Sequence, residues 1–301
     1  MNRQNPTRTP RILITLGLAA TTMVSGCGLV GSQNDPISVV VKTTHTGPSL
    51  FSLLPKEIQA SRSLVIGSDA SYPPLEFLGP DGKTILGFDA DLAAALGNKM
   101  GITITLKVAG FDSIIPDVAA GKYPMSLSAF TDTKERQAKV DFVNYFTAGT
   151  AILVKKGNPQ GITDILSLCG HSVFQEKGTA IVKVLRETKC VKGSYIAVTE
   201  VADDTAAKQA ITDGKSDADL SDFPVASYAA KTIDGGNAFE VAGRQINPAP
   251  YGIVVSKTQT KLRDTIKAAL GELISEGTYT TLARKYNITQ GTITTPTING
   301  A

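Results

Sequence analysis

The chain has no tryptophan, two histidines and three cysteines among its 301 residues, so groups that hold metals or act as nucleophiles are scarce. His45 and His171 have no catalytic neighbour in sequence, and no Cys-x-x-Cys pattern occurs. A Gly-x-Ser-x-Gly elbow and a His-Glu-x-x-His pair are both missing. No catalytic residue, metal or cofactor is therefore expected. Long apolar runs are also absent: Ile12–Val24 is shorter than the ~20 residues a membrane-crossing helix needs, and nothing after it comes close. Nor is there a real excess of one charge. Lys and Arg total 30 against 27 Asp and Glu, a formal +3, but residues 1–26 carry Arg3, Arg8 and Arg11 and no acid. Without them each sign counts 27, which removes any global signature of nucleic-acid binding. With 42% apolar and 19% charged residues, wholesale disorder and collagen-like structure are excluded as well.

What is present begins with an export signal. Residues 1–26 have a basic start, an apolar run and small residues before a cut. Val24-Ser25-Gly26-Cys27 resembles a bacterial lipobox, which implies lipidation (a palmitate-type anchor) at the Cys27 thiol and cleavage just before it. The alternative is an ordinary signal with an incidental cysteine. The two remaining cysteines, Cys169 and Cys190, are expected to pair in an exported chain; two buried thiols are the alternative. A loop of that length makes such a bond worth about 3 kcal/mol.

Residues 27–60, rich in Gly, Ser, Thr and Pro, read as a tether with a possible short element at Leu50–Ile58. Strands are predicted at Leu64–Gly67, Ile102–Val108, Met125–Ala129 and Ala151–Lys155, with helices starting near Asp89 and covering Ser113–Ala120 and Lys134–Lys139. The same alternation then repeats. Helices are predicted at Asp164–Leu168, Ala180–Lys189 and Asp204–Asp213, and strands at Ser172–Gln175, Ser194–Val198 and Ala218–Leu220. A last strand, Tyr251–Val255, precedes an amphipathic helix through Leu262, Ile266 and Leu273 and a further one at Tyr279–Tyr286. Two successive blocks of alternating strands and helices imply an α/β protein of two lobes, each on a largely parallel sheet. The boundaries are 61–149 with 251–288 for one lobe, 150–250 for the other, and a loose Thr-rich tail at 289–301.

In open α/β sheets ligands bind beyond the carboxyl ends of strands. Three such ends carry chemistry. Asp69 and Tyr72 follow the first strand in a proline-stiffened loop, which could equally be a turn with an Asx cap and a surface tyrosine. Asp132 with Glu135 looks like a capping box opening a helix, and Arg136 in its first turn adds a guanidinium fork suited to a carboxylate. Asp222 stands beyond Ala218–Leu220. Arg136 facing Asp222 across a cleft would suit a zwitterion.

The runs Ser71-Tyr72-Pro73-Pro74-Leu75-Glu76-Phe77 and Gly87-Phe88-Asp89-Ala90-Asp91-Leu92 resemble the opening signature of the polar-amino-acid-binding family of bacterial ABC-transporter solute-binding proteins. The resemblance continues through Phe111–Pro116, Gly121-Lys122-Tyr123, Thr133–Arg136, Val140-Asp141-Phe142, Leu153–Gly157, Lys177-Gly178-Thr179, Asp217–Ala226, Tyr251-Gly252-Ile253 and Gly277-Thr278-Tyr279. It covers roughly residues 50–288, with the motifs in the family's order. It implies a type II periplasmic-binding-protein fold with hinge crossings near Phe146–Ala151 and Pro248–Tyr251. Carried over, it has Arg136 gripping an α-carboxylate with help from Thr131 and Thr179. Asp222 and the Ala129 carbonyl would hold the α-ammonium, Tyr72 and Phe111 would sandwich the side chain, and Asp69 and Glu176 would meet its polar end. Pro124, Ala129, Ala180 and Phe223 depart from the family's usual residues at their positions.

The resemblance implies a lipid-anchored, monomeric receptor on the outer face of the cell membrane (periplasmic or at the cell surface), passing a free amino acid to ABC permease subunits. A dehydratase-type enzyme on the same scaffold and a sensory receptor without transport are the rival readings. Asp69 and Glu176 beside two aromatic rings favour a cationic side chain such as arginine, lysine or ornithine over glutamine.

Overall fold

The computed structural model describes residues 49–301 apart from Lys192. The expected signal sequence, Cys27, His45 and most of the expected tether lie outside the described residues. Helices α1 (Leu50–Leu53) and α2 (Lys56–Ser61) bury Leu50, Leu54 and Ile58 and lead into strand β1 (Ser63–Ser68). Short strands β2 (Ser71–Tyr72), β3 (Glu76–Leu78) and β4 (Ile85–Leu86) form a small antiparallel sheet. Helix α3 (Phe88–Met100) follows, with Phe88, Leu92, Leu96 and Met100 on one fully buried face at the spacing a helix requires. It stops where Gly101 takes φ 71°, a left-handed cap that glycine adopts without a Cβ clash. Strand β5 (Thr103–Val108), helix α4 (Phe111–Ala119), strand β6 (Met125–Ser126) and the single turn α5 (Lys134–Gln137) complete the first block.

Strand β7 (Asp141–Lys155) crosses to the second block of β8 (Ser172–Glu176), α6 (Ala180–Glu187), β9 (Ala197–Val201), α7 (Asp204–Thr212), β10 (Ala218–Asp222) and α8 (Phe223–Thr232). Strand β11 (Phe239–Val255) crosses back, and α9 (Thr260–Ser275) and α10 (Thr278–Lys285) pack on the first block. The eight principal strands run in the order β5-β1-β6-β11-β7-β10-β8-β9. Within each block the strands are parallel (β1 with β5 and β6, β10 with β8, β8 with β9), and the antiparallel β7–β11 pair joins the blocks. The fold is two-lobed, of the type II periplasmic-binding-protein class. The first lobe's core gathers Ile66, Leu92, Tyr145, Ile253, Leu270 and Tyr279. The second lobe's gathers Ile152, Leu168, Val173, Leu185 and Leu220, with the Cys169–Cys190 disulfide packed against it (Cα–Cα 5.7 Å).

Four sequence expectations change. The predicted strands at Ala151–Lys155 and Tyr251–Val255 are only the ends of β7 and β11, which run unbroken through both crossings. The register slips between Ala242 and Ile246, between Ile246 and Ala249, and again at Tyr251–Gly252, around prolines that have no N–H to give a ladder. No helix is predicted over Phe223–Thr232, yet α8 forms there; Pro224 occupies its first turn, where a missing N–H costs nothing. The helix predicted at Asp164–Leu168 is one 3₁₀ turn, Leu166–Leu168. The tail 289–301 is not loose: Asn299 donates its N–H to the Phe142 carbonyl (3.0 Å), and Asn144 donates to the Thr297 carbonyl (2.9 Å).

Candidate functional site

Strand β2, the ends of β8 and β10, the N-termini of α4 and α6 and the loop before α5 converge on one narrow cavity of about 20 Å³. Tyr72, Phe111, Ala129 and Thr131 line it from the first lobe together with Arg136, and Glu176, Thr179 and Asp222 line it from the second. An adjoining cavity of about 180 Å³ shares Thr131, Ala180, Ile181 and Asp222 and is bounded by the hinge residues Thr150, Ile246 and Ala249. Of the nine residues picked from sequence, Asp69 alone does not line the first cavity. Its carboxylate accepts the Ser71 N–H (2.9 Å) and the Ser71 hydroxyl, so the Asx-turn reading describes what its side chain does.

Arg136 is half-buried and reaches both lobes. One guanidinium nitrogen donates to the Thr131 carbonyl (2.8 Å) and the other to the Gly178 carbonyl (2.9 Å) of the second lobe. Its charge lies 5.5 Å from the centre of the Phe111 ring and 5.7 Å from that of Phe130, two rings stacked at 4.5 Å. Loss of water lowers its pKa to about 10, against the pull of Asp222, Glu135 and Asp132. The expected capping box is different in detail. Thr133 caps α5 by accepting the Arg136 N–H (3.2 Å), while Asp132 turns inward to Gln137 (2.7 Å) and Asn144 (2.9 Å).

Across the cleft the Tyr72 hydroxyl donates to Asp222 (3.1 Å) and accepts the Asp222 backbone N–H (2.7 Å). Burial lifts the Asp222 carboxyl to about 6, while the hydroxyls of Tyr251 and Tyr72 and the Arg136 charge hold it down. Ala129 sits at φ 44°, left-handed backbone that disfavours a Cβ, and its N–H donates to Asp89 (2.9 Å). Thr179 directs its hydroxyl at the Glu176 carbonyl (2.9 Å) rather than into the cavity, and Ala180 opens α6 beside it.

The other end of the cleft is crowded with acids. Glu176 is 3% exposed, and its Oε1 has no hydrogen-bond partner. Burial, then Asp69, Asp204, Asp203 and Asp219, raise its pKa to about 10, so it is protonated at neutral pH. Burial takes Asp69 to about 6. One cation answers this group: Lys208 bonds Asp204, lies 3.6 Å from Asp219 and stands 5.9 Å from the Tyr72 ring centre. Burial works against the Lys208 charge, but the two aspartates outweigh it and its pKa rises.

Sequence reasoning missed Lys208, Asp204 and Asp219; the i, i+4 spacing of Asp204 and Lys208 on α7 was the available signal for the first two. It also missed what Glu76 and Asp89 do. Both are fully buried under the site; Glu76 accepts from Ser128 (2.8 Å), and Asp89 accepts from the Tyr145 hydroxyl and Ala129. Burial and the neighbouring Asp89 push the Glu76 carboxyl well above its usual range. Among the described residues there is no cluster of His, Cys, Asp and Glu arranged to hold a metal, and no helix is long and apolar enough to cross a membrane.

The model of the bacterial extracellular solute-binding proteins, family 3, matches residues 64–289. The chain is 27% identical over 295 residues to the arginine-binding protein ArgT of Corynebacterium glutamicum, covering 96% of this chain and 95% of that one. An ancestral arginine-binding protein has been solved bound to arginine and bound to glutamine. The two structures align at TM-score 0.69 with 32% and 33% identity, over 74% and 75% of this chain and 97% and 98% of theirs. A third structure, of an ancestral amino acid-binding protein that is a precursor of cyclohexadienyl dehydratase, aligns at TM-score 0.69 with 31% identity, over 78% and 99% of the two chains.

Proposed function

The chain belongs to family 3 of the bacterial extracellular solute-binding proteins, and on that premise we propose that it captures a free amino acid with a cationic side chain and delivers it to an ABC importer. The observation that carries the ligand class is Glu176, a buried carboxyl without a partner on Oε1 and surrounded by Asp69, Asp203, Asp204 and Asp219. An apolar or neutral ligand leaves that crowding in place. A guanidinium or ammonium relieves it, donates to the free oxygen, and gains from the Phe111 and Tyr72 rings.

The head group follows from charge. The α-carboxylate replaces the Gly178 carbonyl on Arg136, and the α-ammonium replaces the Tyr72 hydroxyl on Asp222, joined by the Ala129 carbonyl. Thr131 assists, and Thr179 contributes from the opposite lobe. Each exchange substitutes an ion pair for a hydrogen bond in which only one partner is charged, and the ion pair is the stronger contact. A cavity of about 20 Å³ cannot admit an amino acid, so capture requires the lobes to part about β7 and β11 and close again. The closed form is then the surface a permease reads.

Recognition rather than catalysis is supported by the binding proteins the chain resembles. Export, with a lipid on Cys27 holding a monomer at the outer membrane face, completes the proposal; a Cys27→Ser chain should leave the membrane fraction. Thermal shift and calorimetry over the common amino acids test the ligand. Ligand at 100 times its Kd adds about 2.7 kcal/mol of stability, so arginine, lysine or ornithine should shift the melting temperature more than glutamine. A larger shift with glutamine would overturn the cationic reading.

A further inference from the structure

The segment that closes the chain is attached to the site. Its Thr292 bridges Phe146, and its Ile298 bridges Val143, along the first-lobe stretch of β7 just before the hinge. The Phe142 N–H donates to the Asn299 side chain (2.8 Å), and the Asn299 amide donates to Asp141 (3.2 Å). The family match ends at residue 289, short of this segment. We propose that residues 297–301 are a positioning element of the binding site, fixing through Asn144 and Asp132 the loop that aims the Arg136 guanidinium. The proposal rests on the reading that Arg136 takes the ligand α-carboxylate.

The connection runs through three groups. The Asn144 Oδ1 accepts from the Thr297 hydroxyl (2.9 Å) and the Gly300 N–H (2.9 Å). Two donors on Oδ1 settle which way the amide faces, and they leave its Nδ2 to donate to Asp132 Oδ2 at 2.9 Å. The same oxygen accepts the Ala301 N–H (3.3 Å), while Oδ1 of Asp132 accepts from Gln137 (2.7 Å). Asp132 is 1% exposed, so a lost donor is not replaced freely by water. Its backbone N–H is held by the Pro250 carbonyl (2.8 Å) at the returning hinge strand.

Asp132 lies between two residues that set Arg136. The Thr131 carbonyl receives the guanidinium, and the Thr133 hydroxyl receives the Arg136 N–H. Loosening Asp132 therefore displaces both. The closing segment contributes no atom to the cavity lining, so its action is through the loop alone.

The test uses the full chain, a chain ending after Pro296, and Asn144→Ala as a second variant should the truncation fold poorly. Arg136→Ala serves as the control. Affinities for L-arginine and for L-argininamide, which lacks the α-carboxylate, are measured by calorimetry well below the melting temperature. Amide hydrogen exchange over 131–137 is followed in parallel. Both variants should lose about tenfold of the preference for arginine over its amide, approaching Arg136→Ala, with faster exchange at 131–137, joined in the truncated chain by Phe142 and Asn144, whose N–H groups the closing segment holds. A general loss of stability would weaken both probes equally. The proposal is overturned if the variants keep the full preference while Arg136→Ala loses it. Should Arg136→Ala itself leave the preference unchanged, the α-carboxylate reading fails instead; should the full chain bind neither probe, the cationic-ligand reading fails. Exchange then decides the brace, and undisturbed protection at 131–137 in both variants rejects it.

Discussion

The two ends of the cleft treat charge in opposite ways. At one end Arg136 and Asp222 each have a neutral partner from the facing lobe, the Gly178 carbonyl and the Tyr72 hydroxyl. At the other end Glu176 has like charges for neighbours and an oxygen with no partner. The first end can exchange its contacts for those of any amino acid, because every amino acid brings a carboxylate and an ammonium. The second end escapes repulsion at Glu176 by holding a proton there, a place that a ligand's cation can take. On the proposed reading affinity belongs to one end and discrimination to the other, and substitutions at the two ends should separate these quantities.

The largest effect is expected at the head-group end. Arg136→Ala should cost about 2–5 kcal/mol in binding for every amino acid that binds at all, by calorimetry, because it strands a carboxylate in a desolvated site. Unchanged affinity would remove the proposed pose. Next, Asp222→Asn should weaken binding by about 1–3 kcal/mol through loss of the ammonium's counter-charge. It should not destabilise the protein at neutral pH. The folded Asp222 carboxyl titrates near 6, above its ordinary value of 3.8, so its contribution to stability is present at low pH and falls as pH rises through that window.

Glu176 should behave differently. Its folded pKa near 10 lies above the ordinary 4.5, so the folded state binds the extra proton between these values and loses stability as pH rises across them. Glu176→Gln, a neutral mimic, should flatten the alkaline side of the melting-temperature profile while leaving glutamine-type binding intact. A variant with the same alkaline slope as the parent would show that Glu176 is not the group responsible. The companion expectation concerns protons: a cationic ligand should expel the Glu176 proton, so its affinity should rise with pH by at most about tenfold per unit. Calorimetry in two buffers of different ionisation enthalpy reads that proton directly. Glutamine should release none.

The smallest effect is expected at the rim. Lys177 meets Asp112 across the cleft at 3.1 Å, with both side chains well exposed, and Lys183 meets Glu135 at 3.3 Å. Such pairs contribute about 0.2–1 kcal/mol and are screened by salt. Lys177→Ala should therefore change affinity slightly at low ionic strength and not at all in high salt. An effect rivalling Arg136→Ala would move the discrimination away from the interior acids.

Much of the scaffold was legible because hydrophobic spacing is a local property. Leu92, Leu96 and Met100 announced α3, and Leu262, Ile266 and Leu273 announced α9, since a helix brings residues three and four apart onto one face. The long strands β7 and β11 were only half visible. Asp141 and Asn144 interrupt one with buried polar groups, and Pro248 and Pro250 interrupt the other, and these residues make sense only through remote partners. Of the site, Arg136, Asp222 and Tyr72 could be picked out as charged or aromatic groups beyond strand ends. Asp69 was chosen on the same ground, but the Ser71 hydroxyl and N–H claim its carboxylate.

By itself the sequence determined the alternation that builds two lobes, the family, and the inventory of charges available to a ligand. These depend on neighbours along the chain, or on motifs kept in order. The tertiary structure alone decided which charges face each other. Tyr72 meets Asp222 across 150 positions, and Arg136 meets Gly178 across 42. Glu176 rises to about 10 only because Asp69, Asp203, Asp204 and Asp219 are brought around it in a buried place. Coulomb energy and desolvation depend on distance in space and on access to water; chain order specifies neither until the lobes have folded.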